Sequence, residues 1–108
     1  MKTGFRDRHE RLKYLKARET AHRITHDPRL IDQARHFLET AMAPDRHQRV
    51  YVTMWRELLA RPAEEIAAAL IEDSERGQLL RDTSPVFGAG FTSREVVALL
   101  DQDRASAT

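Results

Sequence analysis

Arg49-Val50-Tyr51-Val52-Thr53-Met54-Trp55-Arg56-Glu57-Leu58-Leu59-Ala60 decides the fold, because it holds the only tryptophan and the densest apolar stripe at helical spacing. Val50, Tyr51, Met54, Trp55, Leu58 and Leu59 recur at i, i+1, i+4, i+5, i+8 and i+9, which winds one wide apolar face around a helix. A buried Trp contributes more apolar area than any other single side chain of this sequence. The spacing therefore predicts a central core helix, with its neighbours packed across Trp55 and Leu59.

Helical signals continue on both sides. Upstream, residues 5–25 contain no Gly or Pro and are rich in strong helix formers. They predict a long first helix whose thin stripe comprises Leu12, Tyr14, Leu15, Ala17, Ala21 and Ile24. Arg8, Arg11, Lys13, Lys16 and Arg18 occupy its remaining surface. The part before Leu12 has only Phe5 to bury and is expected to project beyond the core. Asp27-Pro28 then supplies a capping carboxylate and a first-turn proline for a second helix, which runs to Met42 with Leu30, Ile31, Ala34, Phe37 and Leu38 on its core face. Ala43-Pro44 ends it, since the residue before a proline is driven out of helical geometry.

Downstream, Arg61-Pro62 stops the Trp55 helix by the same mechanism and opens a fourth, where Glu64 and Glu65 suit the positive helix start and Ile66, Ala67, Ala69, Leu70 and Ile71 form the buried side. Asp73 or Ser74 can cap a short fifth helix carrying Leu79 and Leu80, which Gly77 weakens. Thr92-Ser93-Arg94-Glu95 has the spacing of a capping box and opens a last helix through Val96, Val97, Leu99 and Leu100. Between the last two helices, residues 82–91 form the one extended non-helical run. No alternation supports a sheet. The expected architecture is all-α: a compact single-domain bundle of five to six helices over residues 1–103, with 104–108 as a frayed tail.

Composition agrees with one soluble folded domain, because 108 residues with 41% hydrophobic and 32% charged side chains can fill one core but not two. No apolar run approaches membrane-spanning length, and Lys2, Arg6 and Arg8 precede no apolar secretory core, so cytoplasmic residence is expected. The absence of cysteine fits a reducing compartment and removes thiol catalysis and thiolate metal sites. Net charge is only +1, yet residues 1–56 hold 13 Lys/Arg against 7 Asp/Glu and residues 57–108 hold 5 against 10. That polarity either offers a basic arm to an acidic partner or neutralises itself inside the fold.

The residue types that carry catalysis are not arranged for it. His22 and His26 lie four apart, but no Glu follows His22 as a zinc-protease site requires, and Asp27 is placed as a helix cap. Ser84 and Ser93 are turn and cap residues without a strand-to-helix elbow. Glu64, Glu65, Glu72 and Asp73 face water on the predicted helix, and Gly88-Ala89-Gly90 lacks the preceding strand and the Lys of a phosphate cradle. No enzymatic activity, metal or cofactor is expected.

Binding is the expectation that remains. The segment 82–91 places Pro85, Val86 and Phe87 between two capped helices, where they either anchor a partner or fold back on the core. Phe91-Thr92-Ser93-Arg94-Glu95 and the following helix resemble the opening helix of a LuxR-type helix-turn-helix. Only eight residues follow Leu100, however, too few for a recognition helix. The order Asp27-Pro28, Leu30-Ile31, Trp55 with Leu58-Leu59, Glu64-Glu65-Ile66, Leu80-Arg81, Thr83-Ser84-Pro85, Phe87 and Ser93-Arg94-Glu95 resembles small all-helical bacterial proteins encoded beside a toxin, as antitoxin-like partners. That resemblance implies a stoichiometric inhibitor of a protein toxin, touching it through residues 81–91 or the basic helix. On this reading Arg81, Pro85, Val86 and Phe87 make the contact, with Pro85 and Phe87 inserted in the partner, while Arg8, Arg11 and Arg18 steer association. The alternative is a nucleic-acid-binding regulator using the basic first helix, whose thin stripe also suits a homodimer.

Overall fold

A computed structural model describes residues 8–88 and 90–106, and every regular element among them is helical. In chain order these are α1 (Arg8–His26), α2 (Arg29–Phe37), α3 (Val52–Leu59), α4 (Ala63–Leu70), α5 (Glu75–Asp82) and α6 (Ser93–Ser106). A π turn, Leu38–Met42, prolongs α2, and a 3-10 turn, Arg49–Tyr51, leads into α3. The six-helix all-α architecture is thus the one the sequence predicts, with α1 the longest element at 19 residues. Phe5, the expected first apolar residue of α1, lies outside the described residues.

The helix boundaries follow from local chemistry. The Asp27 carboxylate accepts from the Arg29 N–H at 3.2 Å, answering one of the free amides at the start of α2. Pro62 stands extended (φ −59°, ψ 153°) directly before α4. Ser74 rather than Asp73 caps α5, its hydroxyl accepting from the Gly77 N–H at 3.0 Å. At α6 the capping box is complete: Thr92 N–H donates to Glu95 Oε1 at 2.8 Å, and Glu95 N–H donates to Thr92 Oγ1 at 3.1 Å. Gly77, which weakens α5 on propensity, is required by close approach. A Cβ there would stand 2.0 Å from the Glu72 carbonyl oxygen.

α1, not the Trp55 helix, is the hub. It packs against α2, α4, α5 and α6, and most extensively against α4. Its inner side is Leu15, Ala17, Ala21 and Ile24, and that of α4 is Ile66, Ala69 and Leu70. The alanines on both helices allow the axes to approach closely. Trp55 is fully buried in the shared core, but α3 itself rests mainly on α2 and its π turn. Fully burying each Leu or Ile of this core contributes about 1.5–3 kcal/mol, so the cluster around α1 dominates cohesion. α1 therefore completes its own bundle with the side expected to be thin.

Three local expectations are corrected. Val50 is 70% exposed, because residues 49–51 wind at three per turn and lose the phase of α3. Val52 takes the buried place instead. Ile71 caps the C-terminus of α4 and is exposed, and Val97 on α6 is 56% exposed because only α1 covers that helix to any extent. Residues 104–106 of the segment expected to fray continue α6, and just before them Arg11 bonds Asp103, with Nε to Oδ2 at 3.1 Å; Ala107 and Thr108 lie outside the described residues.

Among the described residues that ion pair is one of three joining the basic first helix to the acidic second half. Lys13 Nζ lies 2.8 Å from Asp82 Oδ1, and Arg23 Nη2 lies 2.9 Å from Glu95 Oε2. The hydrogen bond from Arg11, with the charges of Arg11 and Arg18, holds the Asp103 carboxyl below its ordinary range. Glu95 is held low by the Thr92 N–H and by Arg23. Much of the charge polarity thus closes on itself within the fold. Among the described residues no helix is long and apolar enough to cross a membrane.

Candidate functional site

The segment after α5 does not stand away from the bundle. Thr83 accepts the indole N–H of Trp55 at 3.0 Å and passes its own proton to the Leu79 carbonyl at 2.8 Å, which pins the segment at its start. Pro85 is buried, and Phe87 turns inward to meet Trp55 edge-on with ring centroids 6.3 Å apart. Gly88 follows with φ 84°, and a Cβ there would lie 2.8 Å from Leu30 Cδ2, so glycine permits both the turn and the approach to α2. Further on, Phe91 is half-buried beneath the Arg23 guanidinium, 4.8 Å from its ring centroid.

Between this segment and α1 lies a groove of about 340 Å³. α1 contributes Lys13, Lys16, Ala17 and Thr20, and Leu70 joins from α4. The other wall is Arg81, Ser84, Pro85, Val86, Phe87, Gly90 and Phe91. Among the described residues three cations line it and no carboxylate does. The surface is apolar below and positive above, a combination that takes an apolar group carrying negative charge. A second cavity, about 410 Å³, lies beyond Val86, lined by Asp32, Gln33, His36, Phe37, Thr40 and Gly88. Val86, 38% exposed, is shared by both.

The candidate contact residues therefore separate. Arg81, Pro85, Val86 and Phe87 are brought together in one wall, but only Val86 presents its side chain outward. In this arrangement Pro85 is buried and the partly buried Phe87 packs on the core, so neither projects as the expected insertion into a partner would need. Arg81 is a pin: its Nη1 donates to the Leu70 and Glu72 carbonyls, each at 3.0 Å, closing the α4–α5 connection, and its guanidinium lies 5.5 Å from the Tyr14 ring centroid.

Arg8, Arg11 and Arg18 do not line the groove. Arg11 and Arg18 sit about 150° around α1 from Lys13 and Lys16, at roughly 100° per residue. Arg11 is paired with Asp103, and Arg8 is exposed in the first turn. In their place Lys13, Lys16 and Thr20 supply the helix side of the groove. Sequence reasoning assigned both lysines to the solvated surface, and their i, i+3, i+7 spacing with Thr20 is the only mark that could have singled them out.

Elsewhere, the His22 and His26 rings meet at a 45° tilt with centroids 4.4 Å apart, and His26 Nδ1 lies 2.9 Å from the His22 carbonyl oxygen, which makes the pair a C-terminal helix contact. Among the described residues no group of three His, Asp or Glu is arranged to hold a metal ion. Together fold and groove define, among the described residues, a small all-α protein with a cationic, apolar-floored groove beside its longest helix. The chain matches no protein-family model, no curated protein and no solved structure at a significant level.

Proposed function

We propose that this chain is a protein-binding module, and that it works as the stoichiometric, antitoxin-like partner of another protein through the groove between α1 and residues 83–91. The observation that carries the reading is the groove itself: Lys13, Lys16 and Arg81 surround an apolar floor, no carboxylate among the described residues lines it, and Val86 stands at its lip. An aromatic-walled recess with a charged rim has the anatomy of a recognition surface, in which a few central anchors dominate affinity. Association of nucleic acid with α1 is favoured less, because Arg11, Lys13 and Arg23 are each already paired with a carboxylate of the second half. Co-expression with the product of the adjacent gene tests the proposal. A complex that purifies intact and is lost with Val86→Asp, at unchanged helicity, supports it; a complex that survives Val86→Asp overturns the groove's part in it.

A further inference from the structure

The three cations of the groove differ in how far they are committed. Both carbonyls held by Arg81 belong to the α4–α5 connection, so its guanidinium is anchored in place. Lys13 is held by Asp82 at 2.8 Å in a pair whose side chains are 36% and 40% exposed, a contact weak enough to exchange. Lys16 lines the groove without a hydrogen-bond or ion-pair partner among the described residues. Its charge is therefore the one an incoming carboxylate meets without displacing anything.

The apolar part is equally defined. Ala17 and Leu70 form the floor, and Phe87 and Phe91 form the far wall. Both rings are held from behind, Phe87 by Trp55 and Phe91 by Arg23. A wall fixed in advance lowers the ordering cost of binding. The volume, about 340 Å³, is at the small end of ligand pockets, which run to about 1,000 Å³. It admits one large side chain and its immediate neighbours.

We propose that the occupant is an acidic segment of a protein partner, in which one large apolar side chain stands beside an Asp or Glu. The apolar side chain seats between Ala17, Leu70, Phe87 and Phe91, and the carboxylate pairs with Lys16. Asp82 acts as an intramolecular competitor, holding Lys13 until a second carboxylate of the segment replaces it. This inference rests on the docking reading above and adds the chemistry of what docks.

Selection of a displayed random peptide library on the full-length chain tests it. Peptides recovered on the wild type are expected to combine a large apolar residue with a neighbouring Asp or Glu, and to bind about tenfold more weakly to Lys16→Glu. Selection on Lys16→Glu itself is expected to exchange the acid for Lys or Arg, and Asp82→Asn to tighten the acidic peptides about two- to threefold. Lys16→Gln, which keeps the helix face polar, provides a gentler variant, and Trp55 emission confirms that each variant is folded.

The two ideas fail separately. Peptides whose binding is lost with Val86→Asp but which show no acidic enrichment, or which bind Lys16→Glu and Lys16→Gln as well as the wild type, overturn this inference and leave the docking reading intact. Recovery of no peptide sensitive to Val86→Asp counts against the groove as a docking site and so against both. Unchanged affinity in Asp82→Asn removes Asp82 as a competitor.

Discussion

Thr83→Val isolates the bond that ties the groove wall to the core. The substitution preserves shape and replaces a hydroxyl by a methyl. Trp55 is fully buried, and its indole N–H has the Thr83 oxygen at 3.0 Å as its acceptor. Without it the donor is left unanswered in an apolar surrounding, which costs about 1–3 kcal/mol. The other loss is small, because the Leu79 carbonyl keeps the Thr83 N–H at 3.0 Å. The expected destabilisation is therefore about 1–3 kcal/mol, or a fall in Tm of roughly 4–12 °C for a domain of this size. Urea unfolding followed by far-UV circular dichroism and by Trp55 emission measures it. Thr83→Ser, which retains the acceptor, should recover most of the loss. A Thr83→Val protein within about 0.5 kcal/mol of the wild type would refute the argument, since that is the scatter of an ordinary surface change.

Gly77→Ala is expected to destabilise by about 1–3 kcal/mol despite the better helix propensity of Ala, because the new Cβ meets the Glu72 carbonyl oxygen at 2.0 Å; a gain in the urea midpoint would reverse that conclusion. Phe87→Ala should cost about 2–3 kcal/mol in the same assay, whereas Val86→Ala should stay within about 0.5 kcal/mol, and equal losses would mean that the two side chains do not divide between core and surface. Because the folded-state pKa of Glu95 is depressed by the Thr92 N–H and Arg23, its contribution is present above the unfolded carboxylate value and is lost as pH falls through the lower folded one. Glu95→Gln should therefore flatten the decline in the urea midpoint between about pH 5 and pH 3, and an unaltered slope would disprove the linkage.

The sequence made the helices readable because their ends are chemical. Asp27 with Pro28, Ser74, and Thr92 with Glu95 each answer free amides through bonds that span a few residues, so spacing alone reveals them. The core was readable for the same reason wherever a stripe ran through one regular helix, as at Ile66, Ala69 and Leu70. It failed at Val50, where a change of helical pitch shifts the phase, and pitch leaves no mark in an apolar count. The hub was misplaced because a tryptophan advertises burial but not the number of neighbours, which α1 gains by its length and its alanines.

The groove was half legible. Residues 82–91 stood out as the extended, apolar stretch, yet which of them faces outward depends on Thr83 and Trp55 meeting across 28 residues. Lys13 and Lys16 were indistinguishable from Arg11 and Arg18 as solvated charges. What separates them is the element lying opposite each, Asp103 of α6 for Arg11 and the 83–91 segment for the lysines.

The hub position of α1 has a consequence for synthesis on the ribosome. α1 emerges ahead of the helix that chiefly covers its inner side, Leu15 to Ile24, which is α4. At about 5–20 residues per second, that partner follows roughly 2–9 s behind. Throughout this interval the nascent chain carries an uncovered, basic amphipathic helix, and its carboxylate partners at Asp82, Glu95 and Asp103 arrive later still. Lasting order around α1 thus awaits α4 and α6, and until they arrive α1 is an uncovered helix open to chaperones and proteases.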